Sequence, residues 1–215
     1  MSMLSPSKIL ICFLAGVFVP GSALATNKIG NGGNAVVCGD LKTSEPTAKL
    51  LDFYEGDFVP PLPAGKSEFE IAKDVFEKLQ TAAPALASQY SRRLEELKSE
   101  IDYKSGVILT DTKDSDHLFK PEEAGCDVVQ TAIRRNGETA GQKRFLFRKD
   151  VWEKMKASDR AGLLAHEILY EHFSKLGLST STKARQVNLY LFREEKIEAS
   201  AFWKLMRNLE IPIYP

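Results

Sequence analysis

The sequence predicts an α+β fold: a mainly helical single domain with a β-hairpin or small antiparallel sheet ahead of one principal helix. Three observations predict it. Apolar residues fall at helical spacing from Ser67 to Tyr103, gather into β-branched and aromatic runs around 126–148, and return to helical spacing up to the C-terminus. Helices, then strands, then helices is an order that segregates a sheet from its helices instead of interleaving them as βαβ units. No internal repeat is visible. The chain divides into a signal peptide (1–25), an extended N-terminal arm with a Pro-rich loop (26–66) and the α+β domain (67–215).

The first segment is read as an export signal. Met1 to Lys8 carries one cation and no acid, Ile9 to Val19 is apolar, and Ala23-Leu24-Ala25 offers small residues for cleavage after Ala25. That apolar run is well short of the ~20 residues a membrane-spanning helix needs. The expected location is therefore periplasmic or secreted, with no transmembrane anchor after cleavage. Cys12 follows Ile11 inside the apolar run, which argues against lipidation. The whole chain has 29 basic and 29 acidic side chains, and losing Lys8 leaves it one charge negative, a balance that gives no basis for binding nucleic acid. Cys38 and Cys126 then remain. Two distant cysteines in an exported chain read as a disulfide, since metal thiolates usually come in close CxxC spacing.

Along the mature chain, "TNKIGNGG" is polar, "NAVVCGDL" reads as a strand or extended arm fixed by Cys38, and "KLLDFYEG" is apolar with acidic punctuation. "DFVPPLPAGKSE" marks a loop. Ser67 and Glu70 form a capping-box signature before Ile71, Val75, Phe76 and Leu79. Pro84 interrupts the pattern, and a second helix carries Leu94, Leu97 and Ile101 on one stripe, with Arg92, Arg93, Glu95, Glu96 and Lys98 expected on a solvated face. "GVILTD" (106–111) reads as a strand. "CDVVQTAIRR" and "KRFLFR" flank "NGETAGQ" as a hairpin with a long loop. "DVWEKM" begins a short helix. Ser158-Asp159 offers an N-cap to the next helix, Gly177 a C′ residue, and "STSTKARQVNLYLF" and "AFWKLMRNLEIPIYP" supply the last helical segments.

The chemistry of interest lies in "AHEILYEH" (165–172). A zinc-peptidase helix places two histidines four residues apart on one face, with a glutamate beside the first to deprotonate a metal-bound water. Here His166 and Glu167 keep the first half, while Tyr170 stands where the second ligand belongs. With each residue advancing about 100°, Tyr170 falls about 40° from His166, whereas His172 falls about 240° away inside the apolar arc. The two histidines cannot chelate one ion from a regular helix. A third ligand would have to be His117, Glu171 or another acid, so zinc is admitted as a cofactor but not favoured. Three readings follow. His166 and Tyr170 make buried hydrogen bonds while Glu167 pairs with a cation such as Arg185; or the helix is zincin-like, has lost catalysis and keeps a groove for peptide or glycan; or a metal held by an unusual set around His166 hydrolyses a bond. His172 is read as partly buried near a helix C-terminus, where the dipole favours its protonated form, and His117 as a loop residue.

Three pieces, "GNGGNAVVC", "LLDFYEG" and "HEILY…STSTKARQVNLYL", resemble segments of a group of uncharacterised exported proteins from predatory and other Gram-negative bacteria. The resemblance implies envelope or extracellular location and makes Tyr170 and Arg185 typical members of the pattern; it implies no activity, substrate or cofactor. An antiparallel return of the next helix would bring Arg185 toward Glu167 or Tyr170. Glu167, Tyr170 and Arg185 are therefore the candidate catalytic residues and His166 the candidate metal ligand. The expected function is a non-catalytic or degenerate zincin-like domain binding peptide or cell-wall material, with a metal-dependent hydrolase as the alternative.

Overall fold

The structure is a computed structural model and describes residues 29–30, 32–42, 46–109, 121–135 and 143–213. The signal-peptide stretch, His117 and the 136–142 loop lie outside the described residues. The α+β class holds. Among the described residues, two small sheets, ordered β3-β2-β5 and β1-β6-β7-β4, sit with seven α-helices around one main hydrophobic core.

The strands begin with β1 (Ile29–Gly30), β2 (Asn34–Cys38) and β3 (Thr47–Leu50), which leads directly into α1 (Leu51–Glu55). The stretch read as a strand or extended arm fixed by Cys38 supplies β2, the central strand of the three-stranded sheet. Ala35, Val36 and Val37 of β2 are buried between antiparallel β3 and β5 (Cys126–Gln130), and Leu50, Leu51 and Phe53 lie in the interior. The unbroken apolar run of "AVV" has the pattern of a strand covered on both faces. Cys38 and Cys126 face each other across β2 and β5 and are joined as a disulfide.

α2 (Glu68–Glu77) carries the expected capping box, Ser67 N donating to Glu70 Oε2 at 2.8 Å and Glu70 N to Ser67 Oγ at 3.4 Å. α3 (Pro84–Glu100) starts with proline in its first turn, where a missing N–H costs nothing. It ends sooner than the helical stripe implies. Ile101–Lys104 forms β4, parallel to β7 (Phe145–Arg148), so Ile101 pairs with Phe145 in a sheet and does not continue the helix. Among residues 107–109 of the strand expected from "GVILTD" there is no strand; Leu109 and Val107 instead pack on Ile133 and Leu146.

The expected hairpin is present as β6 (Ala132–Arg135) against β7. The run "CDVVQTAIRR", however, is two strands in two sheets, broken at Thr131. The break is held by Gly33, whose carbonyl accepts from Thr131 N at 3.0 Å and Ala132 N at 3.1 Å, and by Gln130 Nε2, which donates to Gly32 O at 2.8 Å.

α4 (Lys149–Trp152) is the short helix, and α5 (Ala157–Lys175) is the principal one. Ser158 and Asp159 lie inside its first turn instead of capping it; Asp159 Oδ1 accepts from Leu50 N at 3.0 Å, so the acid tethers the β3–α1 turn. Its C-terminus closes as expected. Gly177 N donates to Ser174 O at 3.1 Å and Leu178 N to Phe173 O at 3.0 Å, with Gly177 at φ +90°, the bond pair of a Schellman ending. Nothing lies within 4 Å of a Cβ placed on Gly177. Gly177→Ala should therefore lower stability by about 1–2 kcal/mol through backbone strain alone, read as a shift in urea midpoint at unchanged slope. α6 (Thr182–Arg193) and α7 (Ala199–Asn208) complete the bundle, with Phe173, Leu191 and Phe202 fully buried. Among the described residues no helix is long and apolar enough to cross a membrane.

Candidate functional site

Two adjacent faces of α5 organise the site. The first runs through Asp159, Gly162 and His166, at helical spacing. A Cβ on Gly162 would meet Phe53 Cζ at 2.5 Å and Leu50 Cδ2 at 2.6 Å, so the missing side chain is what lets α1 lie against α5. That approach brings Asp52 to the next turn of α5, where its Oδ2 lies 2.9 Å from His166 Nδ1. Asn188 of α6 completes the triad, its Nδ2 donating to Asp52 Oδ2 at 2.7 Å and to Gly162 O at 3.0 Å. All three side chains are buried. Burial alone would depress the His166 pKa, but the charge and hydrogen bond of Asp52, helped by Glu167 and opposed by Arg185, raise it above the ordinary imidazole value. His166 Nε2 is buried and has no hydrogen-bond partner among the described residues, as is true of Asp52 Oδ1 and Asn188 Oδ1.

The second face runs through Leu163, Glu167 and Tyr170 and meets the glycine-rich segment and β6. Glu167 Oε1 accepts from Gly33 N at 2.6 Å. Burial pushes the Glu167 carboxyl pKa up, and the opposing pull of His166, Gly33 N–H and Arg134 does not cancel it. Tyr170 donates to Ser179 O at 3.3 Å, and the Arg134 guanidinium lies 5.8 Å from its ring centre. Arg185 does arrive from α6, one turn in, yet its ion-pair partner is Glu55 of α1, with Nε 3.0 Å from Glu55 Oε2. The expected Glu167–Arg185 pair is thus replaced by two others: Glu167 with a backbone amide and Arg185 with an acid of α1. The reason is proximity. α1 packs against α6 and its Phe53 reaches Gly162 of α5, which sets Glu55 beside Arg185.

The site therefore joins His166, Glu167 and Arg185 around residues that the motif alone does not name: Asp52, Glu55, Asn188, Gly33 and Arg134. Asp52 and Glu55 are the acids of "LLDFYEG", Gly33 belongs to "GNGGNAVVC" and Asn188 to "KARQVNLYL". Acids set within the largely apolar "LLDFYEG" are the signal that could have singled out Asp52 and Glu55; Gly33 and Asn188 carry no such signal.

His172 belongs elsewhere. Its Nδ1 lies 2.9 Å from Tyr90 Oη, and burial, with Lys175 beside it, pushes its pKa below the ordinary value, against the protonation expected from the helix dipole. It lines a cleft of about 180 Å³ with Arg92, Arg93 and Glu171. Arg93, expected on a solvated face, is largely buried, as is Glu171. Glu171 takes Arg93 Nε at 2.7 Å, Arg144 Nη2 at 2.9 Å and Lys175 Nζ at 3.0 Å. The charges compensate one another, which is what allows them inside.

As a metal centre, the HE face offers one free imidazole nitrogen, His166 Nε2, in the arrangement that suits a ligand, since metal-binding histidines usually give their other nitrogen to a carboxylate. Tyr170, at the second ligand's place, would have to shed a phenolic proton with a reference pKa of about 10. Among the described residues, one group of three potential ligating side chains has its atoms close together: Cys38, Glu123 and Cys126. Both of its sulfurs are in the disulfide. No protein-family model, curated protein or solved structure matches this chain.

Proposed function

We propose that this chain is an exported, non-catalytic domain that binds extended peptide, such as the peptide part of cell-wall material, with the HE helix serving to hold main chain. One observation carries the proposal. The carboxylate that a peptidase would aim at a metal-bound water instead accepts a backbone N–H, that of Gly33, from an extended segment lying along β6. Peptide main chain is thus the kind of group this glutamate is already placed to hold. The disulfide and the lack, among the described residues, of a helix able to cross a membrane are compatible with an exported protein.

A metal-dependent hydrolase is the second reading, and the free Nε2 of His166, with Nδ1 fixed by Asp52, favours it. Protein purified without chelator separates the two. The binding reading expects far less than one equivalent of zinc, no chelator-sensitive cleavage of a mixed peptide pool, and retention of a subset of that pool on the immobilised chain. Near-stoichiometric zinc with chelator-sensitive cleavage would replace it by the hydrolase.

A further inference from the structure

We infer that the notch between Glu167, Leu163 and Ala132 is a subsite for the main chain of a Gly-Gly-containing extended peptide, and that the chain's own Gly32 and Gly33 fill it as an internal ligand. The inference rests on the peptide-binding reading above and names the ligand class for that same site.

Two kinds of contact define the notch. The first kind reads only the backbone: Gly32 O accepts from Gln130 Nε2 at 2.8 Å, Gly33 N donates to Glu167 Oε1 at 2.6 Å, and Gly33 O accepts from Thr131 N and Ala132 N at 3.0 and 3.1 Å. Every residue except proline carries those groups, so these bonds would take any peptide in this register, as strand addition to a sheet edge does. The second kind excludes side chains. A Cβ at Gly32 would sit 2.2 Å from Ala132 O, a backbone atom that cannot turn aside. A Cβ at Gly33 would sit 2.2 Å from Leu163 Cδ1, the tip of a side chain that can change rotamer. Selectivity should therefore be strict at the first glycine and looser at the second. His166 also borders the notch: its Cδ2 would be 3.5 Å from the same added Cβ on Gly33.

Among the described residues, the internal ligand is held less extensively on its N-terminal side than beyond it. β1 pairs with β6 through two residues, Ile29 opposite Arg135 and Gly30 opposite Arg134, whereas β2 just beyond is fixed between two strands and by the disulfide. The segment can thus leave β6 while Asn34 onward stays in place. Being tethered, it competes at an effective concentration in the millimolar range.

The test uses the mature full-length chain, wild type and Gly32→Val, titrated by fluorescence anisotropy with a labelled peptide of sequence KIGNGGNA. The Val side chain evicts the internal segment, so the variant should bind the peptide at least about tenfold more tightly than wild type. Alanine at the peptide position matching Gly32 should abolish binding, and alanine at the position matching Gly33 should only weaken it. A variant with native near-UV circular dichroism that binds all three peptides equally would overturn the glycine subsite and leave peptide binding standing. Such a variant binding none of them would overturn both. Should Gly32→Val not fold, amide exchange of the wild type decides. Millimolar KIGNGGNA should speed exchange at Gly33, and exchange unchanged by the peptide overturns the inference.

Discussion

Replacing Cys38 and Cys126 by serine should lower the unfolding free energy of the protein by about 2–5 kcal/mol. The bridge closes a segment of sequence separation 88, and constraining a loop of that size in the unfolded chain contributes about 4–5 kcal/mol in the chain-entropy account. The native side of the balance tempers this. β2 and β5 are already paired from Asn34 opposite Gln130 to Cys38 opposite Cys126, so the ladder survives the loss of sulfur. What is weakened is the tie between the N-terminal strands and the body, and with it α1, which supplies Asp52 to the site. Urea unfolding of oxidised protein against the double variant measures the effect, and thiol titration of the denatured, unreduced protein should find almost no free thiol. Two free thiols, or coincident unfolding curves, would remove the bridge from the account.

The parts of this fold that could be read from the sequence are those in which local chemistry and tertiary packing agree. The capping box at Ser67 and Glu70, proline in the first turn of α3, the β6–β7 hairpin and the Gly177 ending are each fixed within a few residues of chain. Where packing overrode the local pattern, the reading failed. Ile101 completes a helical stripe but pairs with Phe145 in a sheet, and Thr131 breaks a run of strand-forming residues because Gly33 O takes both nearby amides. Arg93 looks solvated on α3, yet it meets Glu171 across the α3–α5 contact and the two are buried together. The site was half legible for the same reason. His166 and Glu167 announce themselves as a pair, and the return of α6 was foreseen. The partners that decide what the pair does, Asp52 and Gly33, come from more than a hundred residues away. No helical wheel contains them.

Those partners change what His166→Ala should do. From sequence alone the loss of a buried hydrogen bond would cost about 1–3 kcal/mol. In the structure the substitution strands the Asp52 carboxylate in the interior with Asn188 alone, and removing one member of a buried ion pair costs about 3–5 kcal/mol. The pH dependence gives the same prediction a sign. Because the folded pKa of His166 lies above its ordinary 6.5, its contribution is complete below that value and is lost as pH rises through the folded pKa. Glu167, with its pKa also raised, acts in the same direction from its ordinary 4.5 upward. His172 opposes them: its lowered pKa makes stability rise with pH up to 6.5, and there its influence ends. Above 6.5 the wild-type protein should therefore lose stability with pH, and His166→Ala should flatten that slope while lowering the whole curve. Zinc content measured on the same two proteins completes the argument. A structural His166 predicts a large loss of stability with no metal lost, because its place is to hold Asp52. Wild-type protein carrying near-stoichiometric zinc that the substitution releases would show instead that Asp52 orients a neutral metal-ligating imidazole, and the chain would then have to be understood as a hydrolase.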